Sequence, residues 1–153
     1  MRLSRLIFPL LLVALLMGCS GVTKIQTDES IFAVKAYDLA EGLREAYVNK
    51  DFSGMRRFCT KDVYDAIRGE IKSFDSVELE FDPEWMETGK EGDATMRILW
   101  KGTWKVKGKA INKEGRLIMI LGGRPLKVSS IQWGSPFKQP DIVRTLPSSD
   151  MLK

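Results

Sequence analysis

The spacing of apolar residues changes once along this chain, at about Ser76, and this change limits the folds that the chain can adopt. Before Ser76, apolar residues recur at three- and four-residue steps, which is the spacing of one face of an α-helix. After Ser76, apolar and polar residues alternate, as they do in half-buried β-strands. Helices followed by antiparallel strands predict an α+β fold.

Three helical segments are predicted before this change. The first begins in Asp28-Glu29-Ser30, whose acids suit the positive end of the helix dipole, and it ends near Lys50. Asp51 is predicted to cap a short second segment through Phe58, and Thr60 to cap a third. The apolar face of the first helix consists of Phe32, Ala36, Leu39, Leu43, Ala46 and Tyr47.

The alternating half of the chain predicts antiparallel strands separated by turns. The Asp82-Pro83 pair is expected to separate the first two strands, and Gly102 to mark a bend or bulge within the longest strand. Residues 89–93 and 112–115 are predicted as turns. The predicted strands cover residues 77–81, 84–88, 94 to about 111 (as one strand or two), 117–121 and 126–133.

The N-terminus has the pattern of a signal peptide. Two arginines lie within the first five residues, and the twelve residues Leu6–Met17 carry no charge. This apolar run is shorter than the roughly 20 residues that span a bilayer. Leu16-Met17-Gly18-Cys19 resembles the bacterial lipobox. The resemblance implies cleavage between Gly18 and Cys19, lipidation of the Cys19 thiol and attachment to the membrane by the lipid.

Two alternatives to the lipobox remain, namely an ordinary signal peptide with a chance cysteine and an uncleaved anchor. At Ser20, an Asp would retain a lipoprotein at the inner membrane under the enteric rule, so Ser20 favours the periplasmic face of the outer membrane. The expected organisation is a signal peptide over residues 1–18, a lipidated tether over 19–27, one domain over 28–137 and a partly disordered tail over 138–153.

The amino-acid composition argues against several classes of function. Without residues 1–18 the chain has 135 residues, with 22 basic and 20 acidic side chains, so its charge is close to neutral. A near-neutral exported domain is a poor candidate for binding nucleic acid. The chain has no histidine, which removes the commonest general base and most zinc sites. We therefore predict no catalytic residue, metal site or cofactor.

The order of elements resembles the NTF2-like superfamily, a cystatin-like α+β cone. "AYVNKDFSGMRRFCTKDVYDAI", residues 46–67, is similar to the helix junction of that family. "GRLIMILGGRPLKVSSIQWGSPF", residues 115–137, is similar to its closing hairpin. The resemblance implies N-terminal helices packed on a strongly curved antiparallel sheet that encloses a pocket. The family includes isomerases, dehydratases, small-ligand binders and protein-docking domains, so the fold does not select the function.

Candidate pocket residues follow from this resemblance and from the pattern of the strands. The tryptophans allow two interpretations: all four, with Trp85 and Trp133, fill the core, or two of them line a pocket for an apolar ligand. Cys59 lies beside Phe58, which indicates a small buried residue, although an intermolecular disulfide or a reactive thiol is the alternative. The candidate pocket residues are Tyr37, Tyr64 and Asp65 from the helices and Trp100 and Trp104 from the long strand.

Four lysines close together in the sequence form its most pronounced cluster of positive charge. Lys101, Lys105, Lys107 and Lys109 are expected to project from one face of a strand. They form either a solvated face that discourages edge pairing or a surface that contacts anionic lipid or an acidic partner.

The sequence as a whole favours a lipid-anchored, non-catalytic envelope domain that binds a protein partner or a small apolar ligand. One alternative is an envelope enzyme that uses Asp65 or Tyr64. Another is a structural subunit of an envelope assembly, and both a monomer and a dimer remain open.

Overall fold

A computed structural model describes residues 27–138, and these residues form the predicted α+β arrangement. The predictions for the signal peptide, for Gly18 and Cys19, for residues 20–26 of the tether and for residues 139–153 of the tail lie outside the described residues. The elements, in chain order, are α1 (Asp28–Val48), the 3-10 helix η1 (Gly54–Arg57), α2 (Lys61–Glu70), β1 (Ser76–Thr88), β2 (Ala94–Val106), β3 (Lys109–Gly122) and β4 (Lys127–Trp133).

Helix α1 begins and ends where the sequence predicts. The side chain of Thr27 accepts a hydrogen bond from the backbone N–H of Ser30 at 3.2 Å, which satisfies one of the free amides of the first turn. The face of α1 that lies on the sheet is buried, and it consists of Ala36, Ala40, Leu43, Ala46 and Tyr47. Within residues 27–138, no helix is both long and apolar enough to cross a membrane.

The segment between the helices is held by capping bonds and by strand β4. Asp51 Oδ1 accepts a hydrogen bond from the Gly54 N–H at 2.8 Å, but the N-cap residue of η1 is Ser53 and not Asp51 as predicted. Thr60 is the N-cap residue of α2, but its side chain makes no capping bond. Val128 N–H donates to the Phe58 carbonyl and Thr60 N–H donates to the Val128 carbonyl, each at 2.9 Å, so this segment is fixed to the sheet.

The four strands form one antiparallel sheet in the order β1-β2-β3-β4. The prediction that Asp82-Pro83 ends a strand is wrong, because β1 continues to Thr88 with only a shift of register between Pro83 and Trp85. Proline is tolerated here because β1 lies at the edge of the sheet and Pro83 sits beside a bulge.

The turn predicted at residues 112–115 is also wrong. These residues lie inside β3, and the chain turns earlier, at Lys107-Gly108 between β2 and β3. Both turn residues have positive φ, 51° for Lys107 and 75° for Gly108, as a two-residue hairpin turn with the sheet's twist requires. Asp75 Oδ2 accepts a hydrogen bond from Gly108 N–H at 3.0 Å and supports the turn.

Large aromatic side chains fill the space between the sheet and the helices. Trp104 is fully buried, and a Cβ atom added at Gly102 would collide with its ring. The predicted bend or bulge at Gly102 is therefore wrong: strand pairing continues there without a register shift, and the glycine makes room for the indole. Phe137 is also fully buried, with its ring edge-on to those of Tyr47 and Phe81 at centroid distances of 5.2 and 6.3 Å.

Candidate functional site

The three helix residues predicted for the pocket do not come together. The Tyr37 hydroxyl donates a hydrogen bond to Glu41 at 3.2 Å, and partial burial together with the Glu41 carboxylate raises the pKa of this tyrosine. Asp65 lies on the exposed side of α2, where it forms an ion pair with Lys61, and 51% of its side chain is accessible. Asp65 therefore does not face an enclosed space in which it could act as a general base.

Trp100 and Trp104 lie in the interior and pack edge to face, with ring centroids 6.2 Å apart. The Trp104 indole N–H donates to the Tyr47 hydroxyl at 3.1 Å, and burial raises the pKa of Tyr47. The Trp100 indole N–H donates to the Gly134 carbonyl at 2.9 Å. With both indole donors satisfied and both rings buried, these residues fill the core at this place.

The other two tryptophans are not core residues. Trp85 is 44% exposed and Trp133 is 63% exposed. Trp85 follows the register shift in β1 and pairs with Arg97, whose side chain points to the face of the sheet away from the helices. Trp133 is the last residue of the edge strand β4 and has a φ of 68°. The alternation of apolar and polar residues in the sequence reveals neither the register shift before Trp85 nor the positive φ of Trp133.

The four lysines do not share one face of one strand, which corrects the expectation. Lys101 and Lys105 lie on β2, Lys107 lies in the turn, and Lys109 begins β3. The reason is that the chain reverses at Lys107-Gly108, so alternation along the sequence no longer corresponds to one face.

The sheet face that points away from the helices, here called the outer face, carries a groove of about 660 Å³. Two rows of cross-strand neighbours form its walls: one row is Glu80, Lys101 and Glu114, and the other is Glu78, Thr103 and Asn112. Lys101 thus stands between two carboxylate residues on the neighbouring strands.

Beyond the groove, the outer face carries arginines and apolar side chains. The Glu84 carboxylate lies 3.2 Å from Arg97 Nε and 3.8 Å from Arg116 Nε, so one anion is shared by two cations. Arg97 Nε is buried and makes no hydrogen bond of good geometry with a described residue. Half-buried apolar residues on the neighbouring outward positions of β2 and β3 are Leu99, Ile118 and Ile120.

Cys59 is a buried thiol. Its side chain is 1% exposed, and its Sγ donates a hydrogen bond to the Met55 carbonyl at 3.3 Å. Burial raises the pKa of the thiol to about 11, so it stays protonated and weakly nucleophilic at neutral pH. These properties agree with the interpretation of Cys59 as a small core residue.

No family model, curated protein or solved structure matches this chain in the comparisons. Between residues 27 and 138, no group of three or more Cys, Asp or Glu side chains is arranged to hold a metal ion. The outer-face groove was not anticipated from the sequence. Its signal is the outward parity of Glu78, Glu80, Lys101 and Thr103, but only the strand register shows that these residues are neighbours.

Proposed function

We propose that this chain is a lipid-anchored, non-catalytic domain of the bacterial cell envelope that binds a protein partner through the outer face of its sheet. The proposed anchor is a lipid on Cys19, at the periplasmic face of the outer membrane. The proposed finer fold is an NTF2-like cone, which is supported by two helices followed by a four-stranded antiparallel sheet.

The observation that carries the proposal is the location of the largest described groove: it lies on the outer face of the sheet, whereas the interior is filled by side chains. The positions from which an apolar ligand would be bound, Trp100 and Trp104, are occupied by packed and hydrogen-bonded rings. The groove of about 660 Å³ lies instead on the outer face, open to solvent and lined by charged and polar side chains. A wide polar groove suits a protein surface better than a small apolar molecule, which requires a largely apolar enclosure.

The composition of the outer face supports a protein partner. Exposed Trp85 and the arginines Arg97 and Arg116 are of the residue types that contribute most to protein–protein binding energy. Arg116 is 63% exposed and shares Glu84 with Arg97, so a carboxylate on the partner would complete the charge balance. The charged rows of the groove would then fix the register of the two proteins.

The position of the proposed anchor is compatible with this role. Seven residues lie between Cys19 and Thr27, the start of the described domain, so eight Cα–Cα steps join the two residues. A chain of that length reaches at most about 28 Å when fully extended. The domain would therefore remain close to the membrane surface and meet partners there.

The proposal is tested by placing a photo-crosslinking amino acid at Thr103 in the full-length chain and irradiating intact bacteria. The matched control carries the same amino acid at Lys35, which is exposed on α1 away from the groove. We expect one crosslinked protein from position 103 and none from position 35. Charge reversal by Lys101→Glu should remove that product, because Lys101 lies between Glu80 and Glu114 in the groove.

Two results would contradict the proposal. One is equal crosslinking from positions 103 and 35, which indicates collisions and not a specific interface. The other is a small-molecule adduct in the native mass spectrum of the full-length protein that disappears in Trp104→Phe. That adduct would indicate that the protein binds an apolar ligand in its interior and not a protein partner on its outer face.

A further inference from the structure

A second cleft, separate from the outer-face groove, lies where η1, the start of α2 and the start of β4 meet. Its volume is about 250 Å³, and it shares no lining residue with the groove. The residues that line this cleft are Arg56, Cys59, Thr60, Lys61, Tyr64 and Lys127.

Three of the lining residues are cations that come from three different elements. The Lys127 ammonium donates a hydrogen bond to the Arg56 carbonyl at 3.0 Å, which ties β4 to η1. The Arg56 guanidinium lies over the Tyr64 ring, 4.5 Å from its centroid. No acid is among the residues that line the cleft, and Asp65, outside the lining, is paired with Lys61. The cleft therefore retains a positive charge.

Neutral hydrogen-bond donors complete the lining. Tyr64 is only 9% exposed as a whole residue, and it reaches the cleft beside the Arg56 guanidinium. The Thr60 hydroxyl makes no capping bond, and Thr60 stands at the N-terminus of the ten-residue helix α2, whose first amides are free to donate. Hydroxyls and backbone amides that reach the cleft can donate hydrogen bonds to a ligand bound there.

We propose that this cleft binds a phosphate group. A phosphate offers several strong acceptor oxygens and up to two negative charges, which match the three cations and the hydroxyls of Thr60 and Tyr64. The cleft is large enough for the phosphate and part of the group that carries it. Its floor includes the Cys59 thiol, which burial keeps neutral, so the floor does not repel an anion. The phosphate comes either from a lipid headgroup or from free phosphate in solution.

The test uses the full-length protein in detergent, with ¹⁵N labelling, titrated with inorganic phosphate at constant ionic strength maintained by chloride. We expect saturable shifts of the backbone amides from Thr60 to Tyr64. Lys127→Gln should weaken phosphate binding about tenfold, because it removes a charge-assisted hydrogen bond. Tyr64→Phe should weaken it about threefold while retaining the ring under Arg56. Lys35→Gln, which removes an exposed lysine on α1, is the matched control and should bind phosphate normally.

The same titration with dihexanoyl phosphatidic acid distinguishes the two sources. Tighter binding of this short lipid than of inorganic phosphate, with loss in the same variants, supports a lipid headgroup. Weaker binding of the lipid than of inorganic phosphate supports free phosphate. The proposal is overturned if the amide shifts do not saturate, or if Lys35→Gln weakens binding as much as Lys127→Gln. Both outcomes are independent of crosslinking on the outer face.

Discussion

Trp104 occupies the centre of the core because the residue two positions before it has no side chain. Any Cβ atom at Gly102 would overlap the indole ring and would also lie 3.3 Å from Leu79 Cδ1. The indole N–H needs a partner once it is buried, and the Tyr47 hydroxyl from α1 supplies that partner at 3.1 Å. One glycine, one tryptophan and one tyrosine thus join the helix to the sheet and fill the space between them.

At the residue scale, the buried Cys59 thiol predicts a dependence of stability on alkaline pH. Its pKa rises from 9.0 to about 11 on folding because burial disfavours the thiolate. A folded pKa above the unfolded one means that the contribution is complete below pH 9 and is lost as the pH rises toward 11. We expect this loss to approach about 1.4 kcal/mol per pH unit within that window.

Urea unfolding of the wild type and of Cys59→Ala at a series of pH values between 8 and 11 measures this effect. Lysines and tyrosines titrate in both proteins, so the difference between the two curves isolates the thiol. The difference in stability should shrink as the pH rises. A constant difference across the series would show that the Cys59 thiol has no raised pKa in the folded protein.

At the element scale, the sequence predicts the helices better than the strand ends. The start of α1 at Asp28 depends on local chemistry and is confirmed, and Asp51 binds the first amide of η1 although Ser53 is its N-cap residue. The β2–β3 turn depends on partners that are distant in sequence: the twist of the sheet forces Lys107 into a positive φ, and Asp75 binds Gly108. Lysine is not one of the residue types that predict the first position of a two-residue hairpin turn. For the same reason neither the outer-face groove nor the cleft lined by Arg56, Lys61 and Lys127, each built from several elements, was predicted.

The Lys107-Gly108 turn carries a prediction about stability. A lysine with a φ of 51° is strained, whereas asparagine adopts this conformation readily in two-residue hairpin turns. Lys107→Asn should therefore stabilise the protein by about 0.5–1 kcal/mol. Lys109→Asn is the control, because Lys109 is the first residue of strand β3 and asparagine is unfavourable in strands. Urea midpoints compare the two variants, and an equal gain in both would exclude relief of strain at the turn.

At the scale of the whole molecule, the proposed anchor and the β2–β3 hairpin, which carries Lys105, Lys107 and Lys109, lie at opposite ends of α1. Beyond the C-terminal end of α1, the Lys50 ammonium donates to the carbonyls of Phe74 and Asp75, and Asp75 supports the turn at Gly108. The 21 residues of α1 span about 31 Å. A tether that joins the chain at Thr27 therefore begins at the opposite end of the helix from Lys105, Lys107 and Lys109.

This arrangement predicts that Cys19 attaches the protein to the membrane and that the hairpin lysines do not. Cys19→Ser should abolish labelling by radioactive palmitate and leave an uncleaved precursor, because the serine hydroxyl does not replace the thiolate as the acceptor of lipid. A variant in which Lys105, Lys107 and Lys109 are all changed to Gln should keep its label and sediment with membranes like the wild type. Labelled Cys19→Ser protein would exclude the lipobox. Release of the lysine variant from membranes would instead show that the hairpin lies against anionic lipid, and that the domain is oriented with both ends of α1 near the bilayer surface.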